Sequence, residues 1–444
     1  MAPQPTDQTH LRQYFEHLAG NSTVMHALQI GADVGEDLLA FGDKPGLANS
    51  VSHPKSLTTK NAGLVPGSLH QALEVYFLQC RRRKNAARSE KRTIARVLGL
   101  YATPLSAKSL ADTGTVRMVT CDRSAKTSYK RGTLLVDRGN EDLVGSGDTA
   151  LSVPVDDSWY VIEPDESIIF VDSKGSVTLA VLRGKCGQHP DLLTYVNSII
   201  DEAVNDHKGT RPTHGGELVQ FGWNAGPHHA RVFGLVNNLT NKKKLSMTTR
   251  QQKDSRALGI LALSWNLLIA SLPAEVSTSC IEAISEAGLP AMTVKGNDLD
   301  FGYTLDLPGG PLCFLTAERA PSEAYMSQNY ESPIHTDQLY APYAMNWVTL
   351  HAIMDPEQCQ LHGGRSSGGN YVDVSLKVVV KCATDTVMSM QPCFQHGTTL
   401  ARDGVCRQGT AINFSRHIKQ AFNEAIAIEG DVRAMVTRLV EEEE

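Results

Sequence analysis

The chain has 444 residues, 41% hydrophobic and 20% charged, with a formal net charge of −6 at pH 7. That length calls for one large domain with additions or for two domains, and the acidic balance excludes a protein that coats nucleic acid over its whole surface, though not a local basic groove. Nine cysteines, widely scattered and with no C-x-x-C, exclude a disulfide framework and a paired-cysteine zinc site.

The N-terminus, "MAPQPTDQTHLRQYFEHL", lacks the apolar core of a signal peptide. Residues 1 to about 60 are rich in Gly, Pro, Ser and Thr and are expected to form a partly irregular arm. From 68 to 100 the pattern is helical, and its middle reads "CRRRKNAARSEKRTIAR". A basic stripe of this density neutralises phosphates, serves as a nuclear address, or is simply a solvated helix face.

Residues 115–186 read as β-rich, with "SWYVIEPDESIIFVDSKGSVTLAVLRG" giving three strands and two turns. The segment "HPDLLTYVNSIIDEAVNDH" carries apolar residues at a helical period, so an amphipathic helix follows. A second basic stretch, "NKKKLSMTTRQQKDSR" (241–256), leads into the apolar run 257–272. That run is shorter than the roughly 20 residues a bilayer span needs, so it is read as a buried helix. The protein is therefore expected to be soluble and intracellular, with no membrane partner. From about 299 the chain is strand-rich again, and a last amphipathic helix is expected over 417–440, ahead of the glutamates that end the chain.

Two His-x-Asp pairs stand in this pattern: His189-Pro190-Asp191 and His335-Thr336-Asp337. Fifteen histidines should give on the order of one such pair by chance. The first pair lies where a helix begins, and Pro and Asp in a first turn are helix-start chemistry. The second stands among strands. A non-haem iron site built on it needs a third ligand from a later strand. His351 reads as a core histidine inside a strand, and His362 as a loop residue. His396 has the better context, entering after the strand-like "DTVMSMQPCF", with Arg407 eleven positions on. A cation there would grip a carboxylate through a bidentate pair.

The stretches "YMSQNYESPIHTD" and "GGNYVDVSLKVVVKCATDTVMSMQPCFQHGTTLARDGVCRQGTAINFSRH" resemble the oxygenase domain of the TET/JBP family, closest to its fungal, transposon-associated branch. Upstream, "IIFVDSKGSVTLAVLRGK" and "THGGELVQFGWNAGPHHARVFG" are similar to that branch's pre-barrel region, so the resemblance covers about 155–430. It implies an α+β fold, in which a double-stranded β-helix (jelly-roll) core is flanked by helices and preceded by a helical and irregular extension. It further implies an enzyme that uses Fe(II), 2-oxoglutarate and O2 to oxidise a methyl group on a flipped base in double-stranded DNA. The preferred base is 5-methylcytosine, with N6-methyladenine or thymine as alternatives. Carried over residue by residue, His335, Asp337 and His396 match the iron ligands. Arg407 matches the residue that grips the far carboxylate of 2-oxoglutarate, with Arg416 as its fallback and Arg402 behind it; Asn329 is a further cosubstrate contact. "DGVCRQG" carries one residue more than the family's G-x-R, and no cysteine-rich zinc region precedes the barrel. DNA contacts would then fall to Arg81, Arg82, Arg83 and Lys84 in the first basic stretch and to Lys242, Lys243 and Lys244 in the second.

The domains expected are 1–110, an extension with a basic helix; 111–154, a connecting β-rich segment; 155–430, the oxygenase domain; and 431–444, a helix end with an acidic tail. A nuclear location follows from the DNA substrate. Two other functions share these residues: a 2-oxoglutarate hydroxylase of a protein or small molecule, and a DNA-binding module on a degenerate oxygenase scaffold.

Overall fold

The computed structural model describes residue 85, residues 88–96 and, with short internal gaps, residues 99–441. Contacts divide the chain into two units, residues 1–92 and 93–444. The irregular arm, Arg81, Arg82, Arg83, Lys84, Lys242, Lys243, His228, His229 and His362 lie outside the described residues. Residues 88–96 are helical, in keeping with the periodicity read there.

The second unit is mixed α+β. Its strands, in chain order, begin with β1 (Arg117–Thr120), β2 (Leu134–Asp137), β3 (Ala150–Val153), β4 (Tyr160–Ile162), β5 (Ile168–Val171) and β6 (Val177–Arg183). They continue with β7 (Glu217–Asn224), β8 (Gly234–Leu235), β9 (Tyr303–Leu307), β10 (Gly310–Phe314), β11 (Glu323–Gln328) and β12 (Ala344–Ile353). The last five are β13 (Tyr371–Asp373), β14 (Val378–Val380), β15 (Thr386–Met390), β16 (His396–Thr398) and β17 (Val405–Asn413). A large sheet has the order β1-β5-β6-β15-β12-β17-β11-β7-β8, and a smaller one the order β16-β13-β14-β4. The two sheets share an apolar cluster that includes Phe170, Leu179, Tyr371, Val378 and Met388. β2 and β3 pair with each other, and Leu135 bridges to Thr399 just beyond β16.

The helices are α1 (Ala107–Asp112), α2 (Pro190–Asp206), α3 (Met247–Ser271), α4 (Ala274–Ala287), α5 (Arg416–Glu429) and α6 (Val432–Glu441). His189 is indeed a helix entrance, with Pro190 and Asp191 in the first turn of α2. The buried helix starts earlier than its apolar run, because Ser246 caps it by accepting from Thr249 N–H. The single C-terminal helix expected over 417–440 is two helices. Gly430, at φ +77°, closes α5 in the left-handed conformation that glycine takes without strain, and α6 begins two residues later. Among the described residues no helix is long and apolar enough to cross a membrane.

Strand alternation decides what each face of the large sheet carries. On β17, Thr410 turns toward α3, where its hydroxyl lies 2.6 Å from that of Ser264. Arg407, Gly409 and Ala411 therefore share the opposite face, toward the smaller sheet. Their neighbours in register are Asn346 and Tyr325 beside Ala411, and Val348 and Ser327 beside Gly409. Two small residues in the middle row leave space that larger side chains would fill. At Gly409 a Cβ would stand 2.8 Å from the Trp347 carbonyl oxygen, so the closeness of β12 and β17 depends on glycine there.

Candidate metal centre and its cavity

The ligand-bearing segment 331–337 runs between β11 and β12 and is anchored almost residue by residue. Glu331 N–H donates to Gly215 O (2.9 Å), Ser332 N–H to Thr398 Oγ1 (2.7 Å), Ile334 N–H to Thr133 O (2.8 Å) and Asp337 N–H to Pro392 O (2.8 Å). His335 and His396 pair across two backbone hydrogen bonds, of 2.9 and 3.0 Å. This backbone pairing, rather than any side-chain attraction, brings together residues far apart in the chain.

The three side chains converge. Asp337 Oδ2 lies 3.5 Å from His335 Nε2 and 3.8 Å from His396 Nε2. One ligand atom from each residue falls within 4.8 Å of the others, the arrangement a single cation requires. The opposite ring nitrogens are engaged. His335 Nδ1 is 2.9 Å from Pro333 O, and His396 Nδ1 is 2.9 Å from Phe394 O. A carbonyl can only accept, so each Nδ1 carries the proton and each Nε2 presents its lone pair beside Asp337. Such anchoring is what orients metal-bound imidazoles.

Electrostatics prepare the same states. Burial, then the neighbouring His335, push His396 below its ordinary value, toward the neutral imidazole. Burial raises the Asp337 carboxyl, but its neighbours His335, His396 and Arg211 outweigh this and hold it below the usual carboxylate range. Neutral nitrogen donors and an anionic oxygen on one side of a vacant half-space fit a ferrous ion in a facial triad.

The triad opens into a cavity of about 400 Å³ lined also by Tyr371, Asn346 and Arg407. The Arg407 guanidinium donates to the carbonyls of Gly369 and Tyr330, which fixes its plane. Asn329 supports Arg407 from behind, its side-chain oxygen accepting from Arg407 N–H (2.7 Å) while its own N–H donates to Arg407 O (2.8 Å). Asn329 itself does not line the cavity. Arg416 is exposed at the start of α5 and bonds Leu339 O (2.8 Å), while Arg402 is buried against Asn140 and Asp142. Neither lines the cavity, and nor does the exposed Lys244. Of the histidines weighed as third ligand, His351 sits in β12 with Nε2 3.3 Å from Ser367 Oγ, outside the cavity. Trp347 is a core residue, fully buried and donating to Asp385 (3.2 Å).

Sequence reasoning missed Arg131, Arg211, His214 and Tyr330, which also line this space. His214 stacks on Tyr330 at 5.6 Å, with Nδ1 2.8 Å from the phenol oxygen. Tyr330 lies inside the stretch that carries the resemblance; the isolated arginines carried no sequence signal. Tyr371, 8% exposed, has a buried hydroxyl with no hydrogen-bond partner among the described residues and a ring 6.0 Å from that of His396. An unsatisfied hydroxyl facing a cavity is a position a ligand can satisfy.

A solved structure of NgTET1 in complex with 5mC DNA is similar over 57% of this chain and 78% of that one, with 11% sequence identity and a TM-score of 0.35. No family model matches the chain. No curated protein matches it.

Proposed function

We propose that the chain is an Fe(II)- and 2-oxoglutarate-dependent dioxygenase, built on a double-stranded β-helix, that oxidises the methyl group of 5-methylcytosine in DNA. The observation that carries this reading is the convergence of His335 Nε2, His396 Nε2 and Asp337 Oδ2 at one end of a cavity that also holds Arg407. His335, Asp337 and His396 would hold the iron, and Arg407 the far carboxylate of 2-oxoglutarate. Bound together with O2, iron and 2-oxoglutarate would supply the oxidising power for hydroxylating a methyl C–H bond, with succinate and carbon dioxide as coproducts.

The chain's own residues do the rest. The carbonyls of Pro333 and Phe394 hold Nδ1 of each imidazole and aim both rings, so no reorientation accompanies metal binding. The backbone clamp at Asn329 and the carbonyls of Gly369 and Tyr330 leave Arg407 a fixed fork for a carboxylate. A duplex keeps its methyl groups stacked out of reach of an enclosed cavity, so the target base would be flipped, at a cost of a few kcal/mol. The oxygenase domain would span 155–430, and a DNA substrate sets the protein in the nucleus.

The test loads the protein anaerobically with Fe(II), then adds O2, 2-oxoglutarate and a duplex carrying both 5-methylcytosine and N6-methyladenine. Digested nucleosides and succinate are quantified by mass spectrometry. Oxidised 5-methylcytosine, absent with His335→Ala, is the expected result. Loss of the adenine methyl alone would move the activity to the other base. Succinate with unchanged DNA would move it to a protein or small-molecule substrate, and neither product would refute the oxygenase reading.

A further inference from the structure

Among the described residues the cavity is lined by five cations, Arg131, Arg183, Arg211, Lys381 and Arg407, against one carboxylate, Asp337. In a chain of net charge −6 this is a local concentration of one sign, suited to anionic ligands. The cations differ in what their heads already do. Arg183 donates to Thr386 Oγ1 and the carbonyls of Glu163 and Lys381, and Arg407 gives one N–H each from Nη1 and Nη2 to those of Gly369 and Tyr330. Arg131 and Arg211 are exposed and make no side-chain hydrogen bond or ion pair among the described residues.

Their placement is not loose. The turn carrying Arg131 is docked on the ligand-bearing segment, with Gly132 N–H donating to Ile334 O and Ile334 N–H to Thr133 O, both at 2.8 Å. The turn that begins at Arg211 is docked on the same segment three residues earlier, where Gly215 O accepts from Glu331 N–H (2.9 Å). Gly216 in that turn has φ +66°, and a Cβ on it would fall 2.1 Å from Asn329 O, so the turn is seated directly on the backbone. Two separate turns thus clasp the segment that delivers His335 and Asp337, and each carries one arginine that lines the cavity.

Resting on the oxygenase reading above, we propose that Arg131 and Arg211 grip backbone phosphates on either side of the nucleotide presented to His335, Asp337 and His396. Each exposed fork suits a phosphodiester, a singly charged group that an arginine holds bidentately. A dicarboxylate cosubstrate has its own cation inside, at Arg407. Isolated arginines at the cavity thereby join the lysine and arginine runs of the sequence as DNA contacts.

The experiment uses the full chain and a fluorescent duplex with one 5-methylcytosine, read by anisotropy over a series of KCl concentrations. Arg131→Gln and Arg211→Gln are each expected to weaken binding about tenfold. Each should also lower the slope of log K against log salt by about one unit, and the double variant by about two. Arg→Lys at both positions should keep most of the slope, and thermal melts report whether each variant is folded. Unchanged affinity and slope in the folded Gln variants would overturn the proposal. So would a raised KM for 2-oxoglutarate with DNA binding intact, which would make these cations carboxylate ligands. Succinate formation by the unaltered chain with saturating 5-methylcytosine duplex tests the oxygenase reading separately. If it is absent while DNA binding still depends on both arginines, the clamp stands and the oxygenase reading falls.

Discussion

His335 and His396 lie 61 positions apart in the chain, yet each donates its backbone N–H to the other's carbonyl, at 2.9 and 3.0 Å, with ring centroids 4.3 Å apart. The candidate metal centre is therefore held by main-chain bonds that do not depend on a metal. The folded apoprotein should exist, and metal should bind to a preformed site.

Fe(II) added anaerobically should raise the melting temperature, by mass action on the folded state, and a chelator should reverse it. Ligand concentration at 100 times Kd corresponds to about 2.7 kcal/mol. Asp337→Ala and His396→Ala should each abolish the shift and lower bound iron measured by elemental analysis, while the far-ultraviolet circular dichroism stays native.

Arg407→Met should raise the KM for 2-oxoglutarate by more than about tenfold, since a charge-assisted bidentate pair is removed. Arg407→Lys should recover part of it, because an ammonium keeps the charge but not the fork. Steady-state succinate formation against 2-oxoglutarate concentration measures both. Equal KM values in all three proteins would remove Arg407 from the cosubstrate site.

Ala411→Phe should fill the cavity floor between Tyr325 and Asn346, its neighbours in register. The ligands lie on other segments, so iron content should persist while succinate formation is lost. Overpacking of this kind costs roughly 1–3 kcal/mol, which a urea midpoint would register.

Arg123 and Asp373 form a pair buried beside the site. Arg123 Nη1 reaches both carboxylate oxygens at 2.8 Å, Asp373 is 1% exposed, and Asp373 is the register partner of His396. Arg123→Met leaves a buried carboxylate without its cation and should cost about 3–5 kcal/mol in denaturant unfolding. Asp373→Leu added to it should recover much of that loss, because the isolated charge is gone.

Glu323 gives a pH signature. Burial pushes its carboxyl up to about 7, against smaller opposing hydrogen bonds from Tyr325 and Ser415 N–H. A folded value above the unfolded one means that this group's stabilising contribution is full below about pH 4 and is lost as pH rises through 7. Stability should therefore fall across this window, and Glu323→Gln should flatten the decline. Unfolding free energies at pH 5, 6, 7 and 8 for both proteins would check the sign.

Much of the site could be read in the chain because its chemistry is carried by residue types that the period-2 and helical patterns otherwise leave unexplained. His335-x-Asp337 stood among strands, and His396 followed a strand that β15 realises. His189 could be set aside for the same reason, since its neighbours write a helix start. The missed elements have physical causes. β11 is an interior strand of the large sheet, between β17 and β7, and is buried over Glu323–Met326 except at Tyr325, yet "EAYMSQ" offers neither clean alternation nor β-branched residues. The basic runs drew notice because charge density is visible in one dimension. Arg131 and Arg211, isolated in turns, were not.

By itself the sequence determined the candidate ligand types, the order in which they enter, and many of the helices and strands around them, because these follow from local periodicity, capping and donor chemistry. Only the tertiary structure decided which arginine faces the cavity. Arg402, Arg407 and Arg416 are near neighbours in the chain. One is buried against Asn140 and Asp142, one projects beside Gly369 and Tyr330, and one starts a helix at the surface. A shift of one residue in a strand reverses the face a side chain shows, so this choice rests on register, which long-range backbone pairing sets.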